Sequence, residues 1–168
     1  RIRCFGAFEL LVAEAVKWRT HRVRELFLYL IDRRGAAPTK EEMLDALFEG
    51  RSDKAAVNNL YMTIYRLRNL LSELDAEGKC VRMANDYSLI VAPGVCDYTD
   101  FMAFAQGNAV TGKNVADAAR MLALCRAPYL EKEPFEWAAE SAWEAEAEYE
   151  RIALELAGCR TAAGRVPE

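Results

Sequence analysis

Residues 53–74 read DKAAVNNLYMTIYRLRNLLSEL, and the spacing of the apolar positions in this stretch decides how the surrounding chain folds. Val57, Leu60, Ile64, Leu67, Leu71 and Leu74 recur alternately at three and four residues, the period of one helix face, with Ser52 or Asp53 placed to cap the first turn. At about 100° per residue, the opposite face carries Asn58, Asn59, Met62, Tyr65, Arg66 and Asn69, while Arg68 falls toward the edge of the apolar stripe. A helix divided in this way commits one side to a core and holds a polar, aromatic and basic side outward.

Upstream, Val23, Leu26, Phe27, Leu30 and Ile31 make a helical stripe that can begin near Thr20 and stop at Gly35. Pro38 and Thr39 restart the chain, and Glu42 stands three residues after Thr39 in capping-box position; Met43, Leu44, Leu47 and Phe48 supply that helix's apolar side. Before these helices, residues 2–5 and 8–12 read as short strands around Gly6, with a third strand expected near 16–18. After Gly78, residues 80–83 and 87–91 read as a hairpin turning near Asn85 and Asp86, residue types that tolerate positive φ. From Asp97 the pattern is helical over roughly 98–109, 114–126 and 134–157, with Trp137, Trp143, Ala147, Ile152 and Leu156 on the last helix's apolar side and fraying expected after Gly158.

This order predicts an α/β plus all-α chain: a winged helix-turn-helix with small antiparallel sheets over 1–95, a short helical module over 96–160, and a frayed tail over 161–168. Charge divides the same way. Residues 1–96 hold 15 Lys/Arg against 13 Asp/Glu, and residues 97–168 hold 7 against 13, so the net charge of −4 averages a mildly basic head with an acidic tail. A basic head permits nucleic-acid binding without requiring it.

The major groove of B-DNA admits one helix, and its base edges are matched by such groups: Asn bonds adenine at two points and Arg bonds guanine at two. Helix, helix, helix, hairpin therefore suits a DNA reader, with a protein-contact surface as the competing reading of the same pattern. Other classes find little support. His21 has Glu25 nearby but no second histidine or nucleophile; the acidic run Glu140, Glu144, Glu146, Glu148 and Glu150 reads as a solvated helix face. No Gly-rich phosphate cradle is present, and the five cysteines, Cys4, Cys80, Cys96, Cys125 and Cys159, include no closely spaced pair, so they read as reduced apolar residues. No apolar run reaches membrane-spanning length.

Motifs along the chain carry a resemblance. Residues 59–71 (NLYMTIYRLRNLL) resemble the recognition-helix signature of winged-helix output domains of bacterial response regulators, and more closely that of the antibiotic-pathway activator (SARP-like) family. Residues 2–10 (IRCFGAFEL), 24–30 (RELFLYL), 38–48 (PTKEEMLDALF) and 82–89 (RMANDYSL) resemble that family's first strands, first helix, second helix and wing. Residues 97–101 (DYTDF) and 118–130 (AARMLALCRAPYL) resemble the start of a tetratricopeptide-like bacterial transcriptional activation domain. In three places the chain departs from the family: Ala13, Glu14 and Ala15 replace the usual Asp-Gly turn, Asn85 and Asp86 stand where a wing glycine is common, and the helical module is short and acidic.

The resemblance implies that Asn58, Asn59, Met62, Tyr65 and Arg66 face the major groove, that Arg68 contacts phosphate and that Arg82 serves the wing. From the residues themselves, which offer no apolar span, no charged leader and no catalytic or metal-ligand constellation, a cytoplasmic, non-enzymatic protein with no cofactor and no metal is expected. Double-stranded DNA and the transcription machinery are its expected partners. Self-association and a phosphorylatable receiver domain preceding Arg1 are further expectations, and no membrane partner is expected.

Overall fold

The computed structural model describes residues 1–11, 16, 18–107 and 109–163, with side chains described to residue 161. In chain order the elements are β1 (Ile2–Arg3), β2 (Glu9–Leu10), α1 (His21–Asp32), α2 (Lys40–Phe48), α3 (Lys54–Leu74), β3 (Val81–Met83), β4 (Leu89–Val91), α4 (Asp97–Gly107), α5 (Val115–Leu122), a 3-10 turn at Glu136–Ala138, and α6 (Ala139–Ala163). β1 pairs with β2, and β3 with β4, each antiparallel. The chain is thus predominantly helical with two small antiparallel sheets, an arrangement compatible with a winged helix followed by a helical module. Among the described residues, no helix is long and apolar enough to cross a membrane.

Two compact units form, one from residues 11–95 and the other from 1–10 together with 96–168. In the first, Thr20 caps α1 through its side chain, Thr39 and Glu42 close a reciprocal capping box at α2, and Asp53 caps α3 by accepting the N–H groups of Ala55 and Ala56, both at 3.0 Å. These caps satisfy donors that a helix's first turn leaves without partners. Met43 and Leu47 of α2, Leu26, Phe27 and Leu30 of α1, and Leu60, Ile64, Leu67 and Leu71 of α3 are buried. A buried Leu of this kind contributes about 1.5–3 kcal/mol relative to its exposed state. The core side of α3 is wider than its strict spacing indicates: Ala56, Thr63 and Leu70 are buried too, while Val57 and Leu74 are partly exposed. Thr63 is tolerated because its hydroxyl donates to the Asn59 carbonyl at 2.7 Å.

The hairpin is tied to the end of α3. Asp75 stops the helix and accepts the N–H groups of Cys80 at 2.6 Å and Val81 at 3.0 Å, so the carboxylate that follows the helix also starts β3. Those backbone donors hold the Asp75 carboxyl below its ordinary range. In the turn, Asp86 accepts from the Ser88 N–H and hydroxyl, but the residue in the left-handed region is Tyr87, with φ of 68°. Positive φ was expected nearer Asn85 and Asp86. It falls on Tyr87 because Ala84 and Ser88 close the ladder around a three-residue loop, whose last position takes the left-handed conformation.

In the second unit, residues 1–10 pack with 96–168. Cys4 donates its N–H to the buried Asp97 carboxylate at 2.7 Å, Ile2 bridges Cys96, and Phe5 bridges Tyr129. Asp97 also accepts from Phe5 and Tyr98; burial pushes its pKa up while these donors pull it down. Phe5 packs edge-on against Phe101 and Tyr129, and Tyr129 stacks on Tyr98 with centroids 4.0 Å apart. Gly6, at φ of 95°, donates to the Pro128 carbonyl at 2.9 Å, a conformation a side chain would strain.

The third strand expected near 16–18 includes Lys17, which lies outside the described residues, as do Val12 and the Ala13, Glu14, Ala15 connection. Val16 and Trp18 lie in no strand, and Trp18 packs on Phe27 with centroids 5.6 Å apart. The last helix continues beyond Gly158 to Ala163. Its buried side is Ala145, Ile152 and Leu156; Trp143 and Ala147, expected there, face outward, with Trp143 73% exposed.

Because Asp75 links helix end to hairpin start as a carboxylate, and its pKa is lowered in the fold, its contribution is present above the unfolded carboxyl pKa and is lost as pH falls through the lowered folded value. Hydrogen exchange read on Cys80 and Val81 is expected to accelerate several-fold in Asp75→Ala at neutral pH, and the wild type is expected to converge on the variant in acid. Equal protection in both proteins at neutral pH would contradict the linkage.

Candidate nucleic-acid interface

The outward side of α3 is built by what its inward side buries. Asn58, Asn59, Met62 and Tyr65 are exposed, Tyr65 by 60% of its surface, and Arg66 is half-buried along one edge. Two residues missed by the sequence reading belong here. Tyr61 is 47% exposed, and Lys54 is exposed one turn before Asn58. The signal was present, since Lys54, Asn58, Tyr61 and Tyr65 succeed one another at four, three and four residues.

No carboxylate occurs between Asp53 and Glu73. The face is therefore neutral to basic over about five turns. Among the described residues Arg66 makes no ion pair, whereas Arg51 is paired with Asp53, Arg33 with Glu42 and Arg22 with Glu25. The unit as a whole is close to neutral, with 13 Lys/Arg against 12 Asp/Glu over residues 11–95, so this concentration of positive and amide-bearing groups is local to α3.

Arg68 lies elsewhere. Two residues after Arg66, it is rotated about 200° around the helix, and its Nη2 donates to the Ala84 carbonyl at 3.1 Å while its guanidinium sits over the Tyr87 ring, 5.5 Å from the centroid. Arg68, the side chain expected to contact phosphate, thus ties α3 to the hairpin, and a guanidinium's five donors leave some outward. Arg82 is exposed on β3, opposite Ile90 in register, and its side chain lies along Gly78, where an added Cβ would come 3.4 Å from Arg82 Cδ. Arg68 and Arg82 both border a shallow cleft of about 380 Å³ between the end of α3 and the hairpin, which Asp75 and Glu77 also line. The structure thus gathers Asn58, Asn59, Met62, Tyr65 and Arg66 on the exposed side of α3 and sets Arg68 and Arg82 at the hairpin.

A solved structure of Mycobacterium tuberculosis EmbR in complex with a low-affinity phosphopeptide superposes on this chain with a TM-score of 0.72 and 19% identity, over 98% of this chain. The chain has the fold of EmbR. It spans 46% of the EmbR chain, so the match concerns part of that protein. The superposition runs over the stretches that carry the motif resemblance and is a likeness of fold. No family model matches the sequence, and no curated protein matches it. At this identity the comparison with EmbR establishes the fold and leaves the site to be argued from the residues themselves.

A left-handed Tyr87 costs about 1–2 kcal/mol relative to an unstrained residue, and its stacking with Arg68 offsets about 0.5–1 kcal/mol of that. Arg68→Ala is expected to lower stability by about 1 kcal/mol in chemical denaturation, and by less in a Tyr87→Gly background, where strain and stacking are both removed. Equal losses in the two backgrounds would show that Arg68 and Tyr87 are not coupled.

Proposed function

We propose that this chain reads double-stranded DNA as the output part of a transcriptional regulator, with α3 in the major groove. On this reading residues 11–95 are a winged helix-turn-helix, β3 and β4 are its wing, and the helices from Asp97 onward are a tetratricopeptide-like module of the activation type. The observation that carries the reading is the acid-free exposed side of α3, where amides, aromatic groups and an unpaired arginine stand opposite a fully committed core.

The side chains divide by chemistry. Asn58 and Asn59 offer donor and acceptor together, which suits adenine N6 and N7. Arg66 suits guanine O6 and N7, and Met62 offers apolar contact to a thymine methyl. Lys54, at the first turn, and Arg82, on the wing, suit phosphate, the contacts that set affinity and register. Arg68 positions the wing from behind, while Tyr61 and Tyr65 present hydroxyls at the groove wall. The function so described is binding without catalysis or a cofactor. The transcription machinery, self-association and a receiver domain before Arg1 belong to the same proposal, supported by the motif resemblance.

Selection from random duplex DNA by the purified chain, followed by affinity measurement at several salt concentrations, tests this directly. A reproducible motif is expected. Arg66→Ala is expected to weaken binding by about 1–3 kcal/mol and relax preference at one base position, whereas Arg82→Ala weakens binding evenly across sequences and reduces the salt slope by about one. Failure of the folded protein to enrich any duplex would overturn the proposal in favour of a protein-interaction module on the same fold.

A further inference from the structure

Cys4 and Cys96 are 92 residues apart in sequence, yet their sulfurs lie 3.9 Å apart and both residues are fully buried. Three features bring them together: Ile2 bridges Cys96, Asp97 accepts the Cys4 N–H, and Leu130 donates its N–H to the Cys4 carbonyl at 2.8 Å. Asp97 completes a compact group of two thiols and a carboxylate. That carboxylate is already engaged by the N–H groups of Cys4, Phe5 and Tyr98, so the two sulfurs are the reactive members of the group.

We propose that Cys4 and Cys96 form a dithiol–disulfide couple, oxidised by thiol–disulfide exchange with a low-molecular-weight disulfide. The Cys96 thiolate attacks one sulfur of the external disulfide, forming a mixed disulfide and releasing one small thiol. The Cys4 thiolate then attacks the Cys96 sulfur, forming the Cys4–Cys96 bond and releasing the second small thiol. Two protein thiols are oxidised, one external disulfide is reduced to two thiols, and the two protein protons pass to the leaving thiolates. Cys96 is the better first nucleophile, because the Cys4 thiol beside it, 3.9 Å away, and the Thr99 backbone N–H favour its thiolate against the opposing effect of burial.

Burial sets the rate. Neither sulfur reaches solvent in the closed fold, so exchange proceeds through local opening of β1, a strand of only two residues. The remaining cysteines provide contrast: Cys80 is exposed on the other unit, Cys159 is half-buried with its thiol on the Val110 carbonyl, and burial together with Asp97 pushes the half-buried Cys125 thiol up to about 12. The bond would close a covalent loop from residue 4 to residue 96, with all of residues 11–95 inside it. Cross-links over long loops stabilise chiefly by restricting the unfolded chain.

The test uses the full chain with Cys80, Cys125 and Cys159 replaced by Ser, which leaves the buried pair as its sole thiols. The folded variant is incubated with oxidised glutathione below its unfolding midpoint and analysed by intact mass and non-reducing peptide mapping. The expected product is a monomer lighter by two hydrogens with a Cys4–Cys96 linked peptide, and a melting midpoint raised by roughly 5–10 °C that dithiothreitol reverses. Two titratable thiols persisting after prolonged incubation, glutathione adducts without a bridge, or a disulfide between two chains would each overturn the proposal.

Discussion

Leu60, Ile64, Leu67 and Leu71 are buried along one side of α3, and the rest of residues 11–95 depends on that burial. The helix cannot turn about its axis without exposing this stripe, at about 1.5–3 kcal/mol for each large side chain. Its rotation is therefore fixed by the core, and with it the outward placement of Asn58, Met62 and Tyr65. α1 and α2 supply the surface against which the stripe packs, and their side-chain caps define where each begins. The proposed reading face needs no dedicated scaffold of its own, because it is the remainder of a helix whose other side is spent on folding.

The same helix governs the hairpin. Asp75 joins the end of α3 to the first residues of β3 through two backbone donors, and Arg68 reaches from the side of α3 to the turn at Ala84 and Tyr87. These attachments lie at the two ends of one strand pair. They place the proposed wing relative to the proposed reading helix by short polar contacts, where a two-stranded sheet alone would be marginal. Arg68 thereby gives up part of its capacity to meet a phosphate in order to hold the element that would.

Much of this was legible in the sequence because periodicity and caps are local signals. Thr39 with Glu42, the three-and-four spacing of α3 and the breaks at Gly50 and Gly78 each act over a few residues, and the observed elements begin and end close to them. What could not be read required knowing which distant segments meet. Asp97 captures the N–H groups of Cys4 and Phe5, so the opening strands pack with the helical unit, a contact across more than 90 residues that no local signal announces. Trp143 illustrates a second failure. Its apolar character suggested burial, but Ala145, Ile152 and Leu156 define the packed side of α6, and Trp143 lies nearly opposite them. Within the candidate site, the angular position of Arg68 was read correctly as an edge; its partner, the Ala84 carbonyl, depends on how the hairpin folds back.

The central claim is that the exposed side of α3 meets duplex DNA. Amide and methyl NMR spectra recorded while a selected duplex is titrated into the labelled chain would test it residue by residue. The account predicts the largest shifts at Asn58, Asn59, Met62, Tyr65 and Arg66, smaller ones on the hairpin around Arg82, and little change along α6. Shifts concentrated on α6 with α3 unaltered would contradict it.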